Sequence, residues 1–351
     1  MSTPRIEIDL DAIKHNTLKI LSWFKPCGIQ ILAVTKLIHG CPRILKIIKD
    51  NGLDHFADSR IENINRIHLH YPHIDFGFIR IPNPWEAPEV ITHCAWSTHS
   101  QQETLEAFEN ETKVRTRKHG IMLMVEMGDL REGVMPDLLP KLLELVLQSD
   151  WLYLRGLSVN LACFGGIQHD QQFLNRFIEL KCGIERKFNF TFPVVSYGNS
   201  AVLRHLESIS KSPINEIRLG EAIFLGTEPG SSTPIRDLVN DAFQIIGTVL
   251  ECSIKPEKPY GGMQGLNAFG EILNVSTAFP YHVLVDLGRL DTKPDQLTNA
   301  DLKILGGSSD YLVLRSKSKL TVGTEVKFQG SYEAILRAMH SPFVDKVYKK
   351  L

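Results

Sequence analysis

Ile31-Leu32-Ala33-Val34-Thr35-Lys36 is the stretch from which the fold of this chain can be predicted. The run up to Thr35 has the length and the β-branched content of a buried strand, and Lys36 places one amine at its carboxyl end. Apolar surroundings disfavour the ammonium form, so the pKa of such a lysine falls and the free amine can attack an aldehyde. An ordinary solvated lysine at a strand end is the alternative interpretation.

Similar strand-like runs alternate with helical patterns along the chain, after a helix that we expect at 10–24. The runs lie at 30–35, 53–57, 75–79, 94–97, 120–127, 152–159, 192–196 and 215–219. About eight strand-helix units in roughly 220 residues predict a (β/α)8 barrel of the TIM type over residues 9–234. A doubly wound open sheet would explain the alternation almost as well.

Polar residues stand at or beyond the carboxyl ends of these runs, where a barrel would gather them at one mouth. They include Lys36, Asp58, Arg80, Ser97, Arg131, Asn160 and Arg218. Gly198-Asn199-Ser200 and Gly220-Glu221 follow the seventh and eighth runs, where barrels often bind phosphate. Glycine allows close approach of backbone N–H groups, so a phosphate-bearing cofactor is predicted there, with ordinary turns as the alternative.

The pattern changes beyond Pro234. Helical periodicity largely stops, and β-like runs appear at 242–251, 282–287, 311–315 and 325–329. The turn-rich segments 261–265 and 306–309 are expected to separate these strands. We therefore predict a second, β-rich domain over residues 235–351, joined by residues 1–8.

The composition of the chain favours some classes of function over others. The formal net charge of -1 gives no overall attraction to nucleic acid or to an anionic membrane, which favours a small-molecule substrate. The six cysteines are scattered without paired spacing, so neither a metal site nor a disulfide framework is predicted, and reduced thiols in the cytoplasm are expected. No apolar run approaches the ~20 residues of a membrane helix.

Two further motifs are Glu7-Ile8-Asp9-Leu10-Asp11-Ala12-Ile13, at the entrance to the predicted barrel, and Ala33-Val34-Thr35-Lys36. They resemble segments of the alanine racemase-like, fold-type III pyridoxal-phosphate enzymes, most closely those of the ornithine racemase branch. The resemblance covers nearly the whole chain. It implies that Lys36 binds pyridoxal 5'-phosphate as a Schiff base and that the chain racemises an amino acid.

Further motifs in the same order support the resemblance. The segment 125–133 places Arg131 where the family contacts the cofactor phenolate and the substrate carboxylate, and 196–200 places Ser200 on the phosphate with Asn199 beside it. The segment 216–220 places Arg218 opposite the pyridine nitrogen, with Gly220 and Glu221 following it. Tyr332 falls where a tyrosine hydroxyl reaches the phosphate. Because a guanidinium does not readily give up a proton, the cofactor would be a weaker electron sink, which favours racemisation.

The chain also departs from alanine racemases. Asn160 replaces a histidine that stacks on the cofactor, in a run that resembles the ornithine branch, and the tyrosine that follows the cofactor lysine is missing. Racemisation needs a second acid/base group opposite Lys36, which the partner subunit supplies in this family. Tyr260 is the nearest counterpart and Cys163 is the rival candidate, and the resemblance implies a head-to-tail homodimer with shared active sites.

The sequence indicates less clearly which residues bind the substrate than which bind the cofactor. A cationic substrate side chain would need an acid, and the candidates are Asp129, Glu132, Asp291 and Asp310, although such acids more often cap helices or bind arginines. Arg80 could orient a carboxylate, and Ser309 lies beside Asp310 in a family-like segment. The predicted substrate is ornithine or another basic or small amino acid.

Other functions remain open on the same scaffold. A lyase or decarboxylase is one alternative, and a pyridoxal-phosphate carrier or a degenerate paralogue without turnover is another. Carriers lack a second domain, so the roughly 115 residues beyond the predicted barrel favour an enzyme.

Overall fold

The described part of this computed structural model comprises residues 4–167, 169–256, 265–272 and 279–349. Its internal contacts divide it into two units. One unit contains the residues up to Ala12 and those from Asn240 onward, and the other contains Ile13–Val239.

The first elements are strand β1 (Arg5–Asp9) and helix α1 (Leu10–Phe24), the latter with the bounds that the sequence predicted. Asp9 Oδ1 accepts hydrogen bonds from the backbone N–H groups of Asp11 (3.0 Å) and Ala12 (3.1 Å), so its side chain caps the helix start. The guanidinium of Arg5 pairs with Glu7 and forms two 2.7 Å hydrogen bonds with Glu325.

Eight parallel strands form a closed barrel in the second unit. They are β2 (Gln30–Val34), β3 (Phe56–Asp58), β4 (Phe76–Phe78), β5 (Trp96–His99), β6 (His119–Val125), β7 (Leu152–Val159), β8 (Val194–Tyr197) and β9 (Glu216–Leu219). Pairing of Ala33 with Leu219 joins β2 to β9 and closes the ring. The predicted (β/α)8 barrel is confirmed, and the open-sheet alternative is wrong.

Helices connect the barrel strands. They are α2 (Pro42–Asp50), α3 (Ile61–His68), α4 (Ala87–His93), α5 (Gln102–Arg115), α6 (Leu139–Gln148), α7 (Gln171–Phe188), α8 (Leu206–Ser210) and α9 (Glu221–Leu225). None of the helices in the described ranges is long and apolar enough to cross a membrane.

A tryptophan and an ion pair lie within the barrel strands. Gly77 accommodates the ring of Trp96, because a Cβ at position 77 would lie 1.9 Å from that side chain. The guanidinium of Arg155 lies 4.0 Å from the centroid of the Trp96 ring and pairs with Glu216, whose side chain is 1% exposed. The charge of Glu216 is therefore compensated inside the protein.

The other unit is built on an antiparallel sheet. Its remaining elements are β10 (Phe243–Ile254), β11 (Tyr281–Val285), β12 (Leu297–Thr298), β13 (Leu302–Gly307), β14 (Leu312–Ser316), β15 (Glu325–Gly330), α10 (Tyr332–His340) and β16 (Asp345–Lys349). The strand order is β12-β15-β10-β11-β14-β13, and β1 pairs antiparallel with β10 and parallel with β16. A β-rich second region is thus confirmed, and Glu7–Asp9 of the entrance motif belong to it.

Two expectations for this unit are wrong. Gly306 and Gly307 were expected in a turn but lie in β13, where the pairing with β14 shifts between Ile304 and Gly306. The shift is a bulge, and Gly306 fits it with φ at +148°. The helix α10 was not expected, although Ala334, Ile335, Ala338 and Met339 are buried at helical spacing. The predicted turn at 261–265 lies almost wholly outside the described residues.

The Arg155–Glu216 pair gives a stability test. Arg155→Met leaves a buried carboxylate without its cation, so we expect the free energy of unfolding to fall by about 3–5 kcal/mol, measured by urea denaturation. The double variant Arg155→Met/Glu216→Gln removes the uncompensated charge and should recover most of that loss. Equal losses in both variants would contradict this account of the pair.

Candidate active site

Lys36 begins a short 3-10 turn, Lys36–Ile38, directly after β2. The pKa of its amine is lowered, first by burial and then by the charge of Arg131. The nearby Cys163, Asp58 and Glu132 act in the opposite direction and raise it. A lysine in this setting holds a larger fraction of neutral, nucleophilic amine than a solvated one.

A buried carboxylate holds the residue that precedes this lysine. Asp58 Oδ2 accepts a 2.7 Å hydrogen bond from the hydroxyl of Thr35, and Asp58 Oδ1 accepts from Asn63 Nδ2 (3.1 Å). Oδ1 also accepts from the backbone N–H groups of Ser59 and Arg60. Burial raises the pKa of Asp58, and these hydrogen bonds oppose that rise. The sequence placed Asp58 at a strand end but gave no indication of its bond to Thr35.

Arg218 lies on β9 and is 7% exposed. Its guanidinium donates to Ser196 Oγ (2.8 Å), the carbonyl of Val159 (2.7 Å) and Asn160 Oδ1 (2.5 Å). Burial lowers the pKa of Arg218, and the carboxylate of Glu216 is the largest opposing influence. The structure therefore brings Arg218 and Asn160 together, while the contribution of Ser196 was missed.

A second arginine joins this network through a carboxylate. Arg131 forms an ion pair with Glu132 through Nε, and its Nη2 donates to Glu132 Oε1 at 2.5 Å. Asn160 Nδ2 donates to the same Glu132 oxygen. Glu132, which the sequence offered as a partner for a cationic substrate, is thus bonded to Arg131 and Asn160, as the alternative interpretation anticipated.

The loop that carries Arg131 is shaped by a carboxylate at the end of β6. Glu126 accepts hydrogen bonds from the backbone N–H groups of Gly128, Leu130 (3.1 Å) and Arg131 (3.3 Å). Gly133 is required where the loop returns, because a Cβ there would lie 2.4 Å from the backbone nitrogen of Glu126. The backbone on both sides of Arg131 is therefore fixed.

Asp129 connects this loop to the loop after β7. Its Oδ1 accepts from the backbone N–H groups of Cys163 (3.0 Å), Phe164 (3.2 Å) and Gly165 (3.2 Å). Asp129 is 4% exposed, and its Oδ2 has no hydrogen-bond partner among the described residues. We call residues 161–167 the β7 loop, and Asp129 is its anchor.

Cys163 lies in the β7 loop. Its Sγ donates to the carbonyl of Leu161 and accepts from Asn199 Nδ2, both at 3.4 Å. Cys163 is an exposed residue, but desolvation by the surrounding loops raises the pKa of its thiol, and the charge of Arg131 opposes this rise. A negative charge on this thiol would raise the pKa of Lys36, so the two predicted catalytic residues are close enough to interact electrostatically.

The two segments predicted to bind phosphate are also adjacent. Ser200 Oγ accepts a 3.1 Å hydrogen bond from the backbone N–H of Ala222, which leaves its own proton available to a ligand. Asn199 donates to the carbonyl of Leu161 (2.6 Å) and accepts from the N–H of Ala201 (2.9 Å). Gly198 has φ at +63°, and a Cβ there would lie 2.6 Å from Val202.

Glu221 follows Gly220 at the end of β9. Its side chain is buried, accepts from the hydroxyl of Thr227 at 3.0 Å, and has its pKa raised to about 7 by burial. The charge of Lys36 opposes that rise. A cofactor-binding role was the prediction for Glu221, and the structure adds its electrostatic proximity to the lysine.

The remaining predicted residues of the described ranges are divided between the two units. Arg80 pairs with Glu86 and donates to the carbonyl of Ser59 (3.2 Å). Ser309 and Asp310 are exposed residues of the β-rich unit, and Tyr332 begins α10 of that unit. Asp291 of the same unit accepts a hydrogen bond from the N–H of Gly288 (2.8 Å). Tyr260 lies outside the described residues. The described part of the chain has no group of three or more histidines, cysteines and acids placed to hold a metal ion.

The chain is similar to known proteins over nearly its whole length. Residues 8–228 match the family model described as alanine racemase, N-terminal domain. The chain is 31% identical to a lysine racemase of Thermotoga maritima, with 99% of each chain covered. It is 29% identical to an ornithine racemase of Acetoanaerobium sticklandii, with 98% of this chain and 99% of the relative covered.

Solved structures show the same fold at low sequence identity. The alanine racemase of Streptomyces lavendulae superimposes with a TM-score of 0.77 at 17% identity, covering 100% of this chain and 98% of that one. A D-threonine aldolase of Filomicrobium marinum gives a TM-score of 0.74 at 15% identity, covering 97% and 89%. These two likenesses concern the fold alone.

The anchoring role of Asp129 can be tested by hydrogen exchange. Asp129→Ala removes the acceptor of three backbone N–H groups, so amide exchange in peptides spanning the β7 loop should accelerate at least about tenfold. Asp137→Ala, at an exposed position of the same connection, is the matched control and should leave that exchange unchanged. Unchanged protection in Asp129→Ala, measured by mass spectrometry, would show that the loop is held by other contacts.

Proposed function

The chain belongs to the alanine racemase family, and from this membership we propose that it is a pyridoxal-phosphate-dependent racemase of amino acids with a cationic side chain, such as ornithine or lysine. One observation carries the proposal. Burial lowers the pKa of the Lys36 amine, and this amine interacts electrostatically with Arg131 and Cys163. Full-length similarity to one lysine racemase and one ornithine racemase supports the substrate class.

The donors at the barrel mouth fit pyridoxal phosphate. Lys36 supplies the amine for its aldehyde, and Ser200 offers a hydroxyl proton to its phosphate beside Asn199 and Gly220. Arg218 presents a guanidinium that is already fixed by three hydrogen bonds and is suited to face the ring nitrogen. When bound, the cofactor supplies a conjugated ring that stabilises negative charge at the substrate α-carbon.

Three side chains of the barrel then divide the remaining tasks. The neutral amine of Lys36 accepts a proton from one face of the α-carbon or returns it there. Arg131 orients the substrate carboxylate, since Glu132 engages only its Nε and Nη2. Arg218 retains its proton, because a guanidinium is a very weak acid, so a ring nitrogen facing it would stay unprotonated.

The opposite face of the α-carbon needs a second proton carrier. Cys163 is our first candidate, because its thiol is coupled to the charges of Lys36 and Arg131. Its raised pKa keeps the thiol protonated near neutrality, so it suits the donor role. Tyr260 remains the competing candidate from the family resemblance.

The substrate side chain and the assembly are part of the proposal. The four acids keep their predicted place as candidates for a cationic side chain, and two of them are already engaged: Glu132 is bonded to Arg131 and Asn160, and Asp129 to three backbone N–H groups. The contacts within the barrel do not test the predicted roles of four other residues, which stay predictions: Arg80, Ser309, Asp310 and Tyr332. We also propose a head-to-tail homodimer in the cytoplasm, a compartment in which six unpaired cysteines stay reduced.

The function is tested by α-hydrogen exchange in D2O. Purified protein with pyridoxal phosphate is incubated with both enantiomers of ornithine, lysine, alanine and serine, and exchange and inversion are followed by NMR and chiral chromatography. We expect both for ornithine or lysine, and neither in Lys36→Ala, which should also lose the visible absorbance of lysine-bound cofactor. Cofactor binding without exchange of any amino acid would favour the carrier or degenerate-paralogue alternative.

Cys163→Ala tests the second proton carrier. If Cys163 serves the face opposite Lys36, the variant should exchange the α-hydrogen of one enantiomer while racemisation falls by about two to four orders of magnitude. Cys182→Ala, which changes a partly buried cysteine of helix α7, is the control and should racemise normally. Full racemisation by Cys163→Ala, together with its loss in Tyr260→Phe, would assign the role to Tyr260.

A further inference from the structure

We propose that Glu132 is a positioning residue that holds Arg131 for the substrate carboxylate and couples it, through Asn160, to Arg218. The inference rests on the proposed function for the identity of the ligand, whereas the contacts that support it are those of the protein alone. Nothing in the comparisons assigns a role to this carboxylate.

The first part of the argument is the edge of the guanidinium that Glu132 occupies. The carboxylate engages Arg131 through Nε and through Nη2, which is the side-on, two-point arrangement. A guanidinium has five N–H donors, so this arrangement leaves the two of Nη1 and one of Nη2 for another carboxylate. Arg131 is 38% exposed, and an incoming ligand can therefore reach that free edge.

The second part is the connection to Arg218. Asn160 Nδ2 donates to Glu132 Oε1, and Asn160 Oδ1 accepts from Arg218 Nη2 at 2.5 Å. These two bonds fix which way the amide of Asn160 faces, because its oxygen must meet the guanidinium and its nitrogen the carboxylate. One carboxylate thus determines the orientation of an exposed arginine and, by way of an amide, supports a buried one.

The third part is the charge that Glu132 brings to the site. Lys36 and Arg131 are both cationic when protonated, and Arg131 lowers the pKa of Lys36 while Glu132 raises it. Glu132 also raises the pKa values of Arg131 and Arg218. Removal of this carboxylate would leave the three cations less compensated.

An ordinary surface ion pair is the competing explanation. Arg115 and Glu111 on helix α5 form such a pair, with both groups on one helix and four residues apart. The two carboxylates are almost equally exposed, at 19% for Glu132 and 21% for Glu111. Glu132 differs because it takes a further hydrogen bond from Asn160, which is 9% exposed and bonded to Arg218. This difference makes Glu111→Gln a suitable control for the loss of an arginine–carboxylate pair.

The test compares Glu132→Gln with Glu132→Asp and with Glu111→Gln. For the amino acid that the wild-type protein racemises, we expect Glu132→Gln to raise KM about tenfold, the effect of losing one charge-assisted hydrogen bond, with a smaller change in kcat. The inhibition constant of the diamine of the same length, which lacks the α-carboxylate, should stay within about twofold. Glu132→Asp keeps the charge and should recover part of the affinity.

A second readout needs neither cofactor nor turnover. Competitive acetylation of Lys36 in the cofactor-free protein, measured by mass spectrometry across pH, gives the titration midpoint of its amine. The midpoint should move to lower pH in Glu132→Gln, because a compensating negative charge has been lost, and should return towards the wild-type value in Glu132→Asp.

The outcomes separate this inference from the proposed function. Wild-type levels of KM and of the Lys36 midpoint in Glu132→Gln, or equal weakening of the diamine and the amino acid, would overturn the positioning role. A wild-type protein that racemises none of the amino acids would overturn the proposed function, while the acetylation experiment would still decide whether Glu132 acts on the charge at Lys36. Unchanged behaviour of Glu111→Gln is expected in each measurement.

Discussion

The burial of one guanidinium constrains the whole barrel mouth. Arg218 sits on β9 with 7% of its surface exposed, and a buried cation is costly unless hydrogen bonds and negative charge replace water. The hydroxyl of Ser196, the carbonyl of Val159 and the amide of Asn160 supply those bonds from β8 and from the end of β7. The geometry of three consecutive strands is therefore adapted to one side chain.

From this arginine the polar network extends outward with decreasing burial. Asn160 is 9% exposed, Glu132 is 19% exposed and Arg131 is 38% exposed. The inner end is rigid because its atoms have several partners, and the outer end is the one that a ligand can reach. Asp58 is a second carboxylate that acts on Lys36: it accepts a hydrogen bond from the preceding residue, Thr35, and its charge acts to raise the pKa of the lysine. Two carboxylates, each held by its own set of hydrogen bonds, therefore act to raise the pKa of the lysine.

The sequence predicted the elements more readily than the bonds between them. Apolar runs such as Ile31 to Val34 identify barrel strands because burial on both faces demands continuous apolar residues. The positions of Lys36, Arg131, Asn160 and Arg218 follow from strand order alone. Their partners could not be predicted, since the bonds of Glu132 and Asp58 depend on rotamers and loop geometry that spacing does not determine. The same reason explains Gly306, which reads as a turn residue but fits a bulge in β13.

Strand β1 has a consequence for the order in which the chain acquires structure during synthesis. Its partners are β10 and β16, and the guanidinium of Arg5 is held by Glu325, all of which are translated after the barrel strands. On the ribosome the (β/α)8 barrel can close before β1 forms backbone hydrogen bonds with β10 and β16. Because β16 pairs with the second edge of β1, that edge stays exposed until residues Asp345–Lys349 have been synthesised, which is after the barrel strands.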